Sequence, residues 1–406
     1  MKIKVSDIYL KNFIILILLN SNIFLIGNWG SIFRIISVVI VLLLFGVSAV
    51  RKSAGKFYKK YNFMFTWTVI FYFGMLVCVV YMNFKYSTHY SYMLSQLYHY
   101  LYFLLFWPIV DYLEQNEKNF NKLIVCIVSA VTFILVLKSV IWILYNFIGV
   151  DIIHYMMVEG GDKWVRNGKQ RLLLPPTVCF PITYASLKIL TEKKYKSIIK
   201  NIAVLSVTVT YIWVVYATKA MLVVLICSFF AIWVYQNRKS IGKIMKALFL
   251  LFASFLSIFA GNLINLYVNS IDSWSLLCRQ LAFEYYLGLI GDYRLFGFSL
   301  ATESMELQNG WGGNYYFADL GIFSKFFEFG LWGIIFIIPM VRIISLSLNT
   351  KCKDQKCKML MIGLAVYTVV SSILSNDIFL YRNVLAFPFV CGILEYINKH
   401  NNAELA

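Results

Sequence analysis

Apolar runs long enough to cross a bilayer alternate along this chain with short basic connectors, and one long polar stretch interrupts the alternation. Roughly 18–20 apolar residues wound as a helix span the hydrocarbon, which predicts about twelve spans. They fall near residues 10–27, 31–50, 63–82, 92–113, 123–150, 172–190, 198–216, 219–236, 244–263, 321–347, 359–376 and 379–397. A very tight turn joins the seventh and eighth, the last pair is short, and the first turns of the tenth have room to sit outside the bilayer. From about Asn262 to Gly333 the chain is instead polar, punctuated by glycine and rich in Tyr, Trp and Phe. The expected fold class is an all-α polytopic membrane protein, one integral domain over residues 1–406. A large loop (262–320) with amphipathic helices lies between its ninth and tenth helices, and a second loop covers 151–171.

Composition agrees with that pattern. Of 406 residues, 60% are hydrophobic and 14% charged, more apolar surface than one aqueous core can hide. The net charge of +18 raises the question of nucleic acid, but the placement of the charges argues against it. Lys2, Lys4 and Lys11 are followed by basic connectors at 51–60, 192–200, 238–246 and 351–358, all on one side if the spans alternate. That asymmetry marks the cytoplasmic side and puts both termini there, where anionic lipid is a further partner. No secretory cleavage site follows the first apolar run, which reads as a signal anchor. Eight cysteines are present, and only Cys278 falls in the large outer loop, so no disulfide framework is expected there. Cys352 and Cys357 lack further ligands nearby and read as solvated thiols, not as half of a metal site.

Charges within spans or on the outer face need explaining, because hydrocarbon penalises them. Lys138 falls inside the fifth span; it either lines a polar cavity or sends its stem to the interface, and snorkelling is the expectation. Arg34 sits near an outer helix end as an anchor. Trp164, Arg166, Lys169 and Arg171 crowd the outer segment before the sixth span, which Pro175 and Pro176 stiffen. These cations suit lipid phosphates or a phosphate-bearing substrate. Lys219 stands at the tight turn, either interfacial or aimed into an outer cavity at a helix N-terminus. In the large loop, Arg279 lies on a stretch with helical apolar spacing, and Arg294 precedes a glycine turn. Trp274, Tyr285, Tyr286, Trp311, Tyr315 and Tyr316 fit an interfacial belt or flat faces for a sugar chain. Asp272, Glu284, Asp292, Glu303, Glu306, Asp319 and Glu328 include candidates for a general base.

The run DLGIFSKFFEFGLWG (319–333) resembles the segment that closes the large periplasmic loop in the O-antigen polymerase and ligase superfamily. There a His or Asp precedes an acidic-x-Gly-Leu-x-Gly turn that opens the next span. Asp319 takes the His/Asp position here, and Glu328, Gly330, Leu331 and Gly333 take the turn. Arg279 followed by LFGFS (295–299) is similar to the family's Arg, short helix and glycine turn. Thr218-Lys219 stands where the family usually has Ser-Arg, and RLLLPPTVCFPITYASL (171–187) resembles its Arg-led start of the sixth span. The likeness covers mainly residues 165–345, in short motifs whose order and placement carry it. Lys219 in place of Arg, and Asp319 in place of the His typical of ligases, are departures; the second leans toward polymerases.

The resemblance implies glycosyl transfer at the periplasmic face of a bacterial inner membrane. The donor would be a glycan on undecaprenyl pyrophosphate. The acceptor would be the next lipid-linked repeat unit for a polymerase, or lipid A–core for a ligase, with a chain-length regulator as a further partner. Cations would stabilise the departing pyrophosphate, with Arg171, Lys219 and Arg279 leading and Arg166 and Arg294 in support. Asp319, then Glu328, would serve as base, although Glu328 also fits a purely bracing role. Trp274, Trp311 and Tyr315 would stack on the glycan. Neither a metal nor another cofactor is expected. A polysaccharide flippase is the rival from another class, but the first six spans are not repeated in the last six. A structural scaffold would not require cations at three outer positions.

Overall fold

A computed structural model describes residues 5–21, 29–52, 59–150, 165–166, 168–238, 273–302, 304, 317–374 and 378–403. The chain is an all-α protein. Its helices in order are α1 (Val5–Leu19), α2 (Trp29–Arg51), α3 (Asn62–Tyr86), α4 (Tyr90–Leu97), α5 (Phe106–Glu114), α6 (Lys118–Ile143), α7 (Cys179–Thr191), α8 (Tyr195–Thr210) and α9 (Lys219–Asn237). After α10 (Ser273–Leu289) come α11 (Ser324–Phe329), α12 (Ile334–Asn349), α13 (Gln355–Leu374) and α14 (Ala386–Ala403). One two-residue hairpin, β1 (Val165–Arg166) with β2 (Lys169–Gln170), is the only sheet among the described residues. Seven described helical stretches are long and apolar enough to cross a membrane: Ile32–Arg51, Asn62–Tyr86, Lys118–Ile148, Tyr195–Val215, Lys219–Asn237, Leu320–Asn349 and Gln355–Leu374. The expected ninth span, 244–263, lies outside the described residues.

Four other expected spans are helical but short or broken, and prolines account for two of them. The span expected at 92–113 is not one α-helix, because Tyr98–Leu105 between α4 and α5 winds as a 3-10 helix. Pro108 has no N–H to give, and its ring crowds the Leu104 carbonyl one turn back; the Phe106 N–H bonds that carbonyl instead. The span expected at 172–190 becomes helical only at Cys179. Pro175 and Pro176 remove two donors and push the residue before each away from helical torsions. Of the first expected span, 10–27, α1 covers the part to Leu19 and residues 22–27 lie outside the described residues, and the last begins its helix at Ala386.

Pro339 lies inside α12, where it leaves the Ile335 carbonyl without a helical donor. Trp67 of α3 fills that vacancy, its Nε1 donating to Ile335 at 2.9 Å. Around this bond the bundle centre is aromatic: Trp67 and Phe71 pack with Phe103, Phe336, Phe379 and Phe387. At the basic end, carboxylates bind helix ends to one another. Buried Asp111 accepts from Tyr9 of α1 at 2.7 Å and faces Arg51 and Lys52. Glu114 takes Lys60 at 2.6 Å and Tyr61 at 2.9 Å, and Arg342 of α12 grips Glu395 of α14 with two nitrogens at 2.7 and 3.1 Å.

The tenth stretch is bent by backbone contacts that only glycine permits. The Leu331 and Trp332 N–H groups donate to the carbonyls of Arg294 and Leu295 at 2.8 and 3.2 Å, and the Phe298 N–H to Phe327 at 3.1 Å. Gly297 and Gly330 meet at this seam, both with positive φ. A Cβ on Gly330 would run into the Arg294 carbonyl and the Gly297 nitrogen, and one on Gly297 into the Glu328 backbone. Gly330→Ala is therefore expected to lower the unfolding temperature in detergent by an amount matching about 1–3 kcal/mol or more. Gly288→Ala, where nothing lies within 4 Å, should leave it unchanged or raised. Equal stability of the two variants would mean the seam does not hold in the protein.

Candidate functional site

The site at the end of the bundle away from the basic connectors begins with a stretch of chain that is not helical. α6 leaves its connector at Lys118 and finishes in a π-turn, Leu144–Ile148, closed by Gly149. α8 likewise runs from Tyr195 to a π-turn at Tyr211–Val215. Between these ends runs the chain from β1 to Thr177. Its polar backbone groups find partners on both helices. Gln170 donates its N–H to Asn146 Oδ1 at 2.9 Å and accepts from Trp142 Nε1 at 2.6 Å. The Leu172 N–H donates to the Val215 carbonyl at 3.3 Å, and the Leu173 carbonyl accepts from both Lys138 Nζ and the Tyr211 hydroxyl at 2.9 Å. Lys138 thus does not snorkel as expected. It is 1% exposed, held inside because a carbonyl with no helical donor lies within its reach.

This backbone sets Arg171 in place. Its Nε donates to the Tyr216 carbonyl at 2.9 Å and Nη2 to Thr218 Oγ1 at 3.1 Å, with the guanidinium 5.5 Å from the Tyr216 ring. Lys169 lies 4.2 Å from the Phe147 ring centre and 5.4 Å from that of Trp142. Together they border a cleft of about 290 Å³ lined by Trp142, Lys169, Gln170, Arg171, Trp213, Val214 and Ala217. None of these described lining residues is acidic. Lys219 opens α9 directly after Thr218 and is exposed. Arg166 is paired in register with Lys169 in the hairpin; its side chain lies outside the described residues.

A second unit gathers segments from residues 282–327. The side chains of Ala282, Tyr286, Phe298 and Phe327 pack as one small core, which joins α10 to the 295–299 turn and to α11. Residues from α3 to α4 hold the same loop by its carbonyls: the Tyr86 hydroxyl donates to Asp292 at 3.1 Å, and the Thr88 hydroxyl to Ala301 at 2.8 Å. Tyr293 stacks on Tyr86; burial first, then Tyr86 and Asp292, push its phenol up. Arg279 is half-buried, and its Nε is sealed without a hydrogen-bond partner among the described residues. α10, which carries Arg279, packs against the 3-10 turn Phe317–Phe323, which carries Asp319. The side chains of Asp319 and Trp274, and all of Trp311, Tyr315 and Tyr316, lie outside the described residues.

Arg294 is exposed and contributes its carbonyl to the glycine seam. Glu328 is buried and bound by Lys325 Nζ at 2.6 Å, and the same ammonium donates to the Tyr100 hydroxyl at 3.0 Å. That engagement ties Glu328 within α11 and, through Lys325, to Tyr100. Lys325 went unnoticed in the sequence, where only its three-residue spacing from Glu328 hinted at a pair. Tyr286, a candidate for belt or stacking, is fully buried against Phe298 and belongs to the core. The structure therefore brings Arg279, Arg294 and Glu328 into one packed unit and places Arg171 in another. α13 connects them, packing along α9 on one side and on the 317–323 turn on the other.

No protein-family model matches the chain, and comparison with curated proteins finds no match. The residues alone carry the reading. Glu328→Gln leaves a buried ammonium without its counter-charge, at an expected cost of about 3–5 kcal/mol, whereas replacing both partners by Met should recover most of it. Thermal unfolding of the single and double variants checks this; a double variant no better than E328Q would show that the pair does not stand alone.

Proposed function

We propose that this chain is a membrane glycosyltransferase, an O-antigen or surface polysaccharide polymerase. It would join repeat units carried on undecaprenyl pyrophosphate at the periplasmic face of a bacterial inner membrane, with both termini cytoplasmic. The observation that carries the reading is the cleft with the fixed guanidinium of Arg171 and the ammonium of Lys169 on its rim and two indoles in its wall, at the end of the bundle opposite the basic connectors. When the bond from the anomeric carbon to the pyrophosphate breaks, negative charge collects on the leaving oxygens. Donors already fixed in place stabilise that charge without reorganising at the moment of reaction. Arg171 is such a donor, tied by two hydrogen bonds to the turn before α9. Its planar fork suits phosphate oxygens, and the indoles suit the first apolar and sugar groups beside the phosphates.

Arg279 adds support from the second unit. A guanidinium nitrogen sealed without a partner is costly unless something supplies an acceptor, and α10 presents it beside the turn that bears Asp319. On this reading Arg279 binds the glycan-phosphate region and Asp319 receives the acceptor's hydroxyl proton, as the resemblance implies. Lys219 supplies a further positive charge at the start of α9.

The test is a gel of surface polysaccharide from a strain lacking the gene and complemented with variants. Loss of the gene is expected to leave single repeat units on the lipid core; absence of any attached unit would indicate a ligase instead, and an unaltered ladder would remove the reading altogether. R171A, R279A and D319A are each expected to reduce polymer about 100- to 1,000-fold at normal protein levels, the scale of losing one preorganised group. R171K should remain well below wild type, because an ammonium cannot reproduce the two-pronged geometry. Sidedness is checked by labelling in intact cells with a membrane-impermeant maleimide: Cys278 should react, and Cys352 and Cys357 only after lysis.

A further inference from the structure

α3 serves as a ruler for the depth of what packs on it. It follows the basic connector at 51–60, and its 25 residues rise about 38 Å, enough to cross about 30 Å of hydrocarbon. Its exposed side chains Val69, Phe73, Leu76, Val80 and Phe84 recur at three- and four-residue steps, the face a span turns to lipid. That stripe runs almost to the helix end. Lys85 and Tyr86 follow it, with the Lys85 ammonium 5.5 and 5.0 Å from the Tyr81 and Tyr86 ring centres. Long cations and tyrosines are what the membrane–water boundary collects, so the boundary falls near Tyr86.

Against this helix the segment 292–301 descends and returns. At its start, Tyr86 donates to the Asp292 carbonyl at 3.1 Å and stacks on Tyr293. Phe296 lies on the Tyr81 ring with centroids 4.8 Å apart, and its carbonyl accepts from Cys78 Sγ at 3.9 Å. Cys78 precedes Tyr86 by two helical turns, about 12 Å deeper along the axis. The chain turns at Gly297, with φ at 68°, and climbs until the Ala301 carbonyl accepts from Thr88 at 2.8 Å, beyond the end of α3.

Two further observations put lipid around this dip. Its irregular backbone is satisfied from within the protein: the N–H groups of Gly297, Phe298 and Ala301 reach the carbonyls of Tyr293, Phe327 and Phe298, and the carbonyls of Arg294 and Leu295 take Leu331 and Trp332. Non-helical backbone at membrane depth is tolerated only when it is covered in this way or lines a water-filled cavity. The side chains left open are apolar, Leu295 being 55% and Leu331 65% exposed. Leu331 continues the exposed stripe Ile334, Ile338 and Val341 of α12. The 16 residues of α12 rise only about 24 Å, so the apolar residues before it must complete the crossing. Arg294, also exposed, stands between the boundary and the turn, where its long stem can carry the guanidinium up to the headgroups.

We propose that residues 292–301 are a re-entrant membrane segment whose partner is the leaflet away from the basic connectors. Leu295 and Leu331 contact acyl chains, and Arg294 contacts lipid phosphates. The inference does not depend on polymerase activity. The test uses the full-length wild type in nanodiscs of phosphatidylethanolamine and phosphatidylglycerol that hold a phospholipid with a diazirine midway along one chain. After irradiation and digestion, mass spectrometry should find lipid adducts on Leu295 and Leu331, as on Val341 and Phe73, with loss to background in the connector at 351–358. A phospholipid carrying the diazirine on its headgroup should mark Arg294 and Lys85. Adducts on Val341 with none on Leu295 and Leu331 overturn the re-entrant segment, because the loop would then lie in water or under protein. A headgroup probe that marks Lys85 and leaves Arg294 bare overturns the phosphate contact. An unaltered polysaccharide ladder in the strain lacking the gene removes the polymerase reading and leaves this segment in lipid.

Discussion

Inside hydrocarbon there is no water to bond a loose N–H or C=O, so every departure from regular helix must be matched by a donor or acceptor from elsewhere in the chain. This constraint organises the structure. Pro339 frees the Ile335 carbonyl, and Trp67 supplies the missing donor from α3. The prolines at 175 and 176 unwind the approach to α7, and Lys138, Tyr211, Trp142 and Asn146 bind the unwound backbone from α6 and α8. The bend before α12 exposes amides at Leu331 and Trp332, and carbonyls of the 294–295 turn accept them. Each repair fixes one segment relative to another helix. The cleft follows from the second repair: the bonds that satisfy residues 170–173 also fix where Arg171 must lie.

The same logic explains what the sequence made legible. The period and length of apolar runs placed α2, α3, α6, α8, α9 and α13 within a few residues, because those helices satisfy their backbones largely internally and need only an apolar surround; the stretch holding α12 was placed without its bend. The tight turn before Lys219 was legible too, and the structure closes it with Ala217 at positive φ. Breaks were harder. Pro108 and Pro175 were visible, but how far unwinding spreads depends on which neighbour supplies the missing bonds, and that is a long-range property. Arg171 stood out because topology gave no reason for a cation there. Lys325 did not, since a Lys-x-x-Glu spacing is ordinary on any helix. Lys138 was misjudged for the same reason: its partner is a carbonyl exposed by prolines far along the chain.

Charge is handled differently at the two ends, and the difference bears on function. At the basic end, Asp111, Glu114 and Glu395 each hold cations from other helices. Removing one partner of a buried pair leaves a desolvated charge, so these contacts tie helix ends together whatever else that face does. At the cleft the described partners of Arg171 and Lys169 are a carbonyl, a hydroxyl and aromatic faces. Two cations bordering one walled space raise its potential, and where effective dielectric is low an anion is bound strongly. The proposed pyrophosphate chemistry needs that potential.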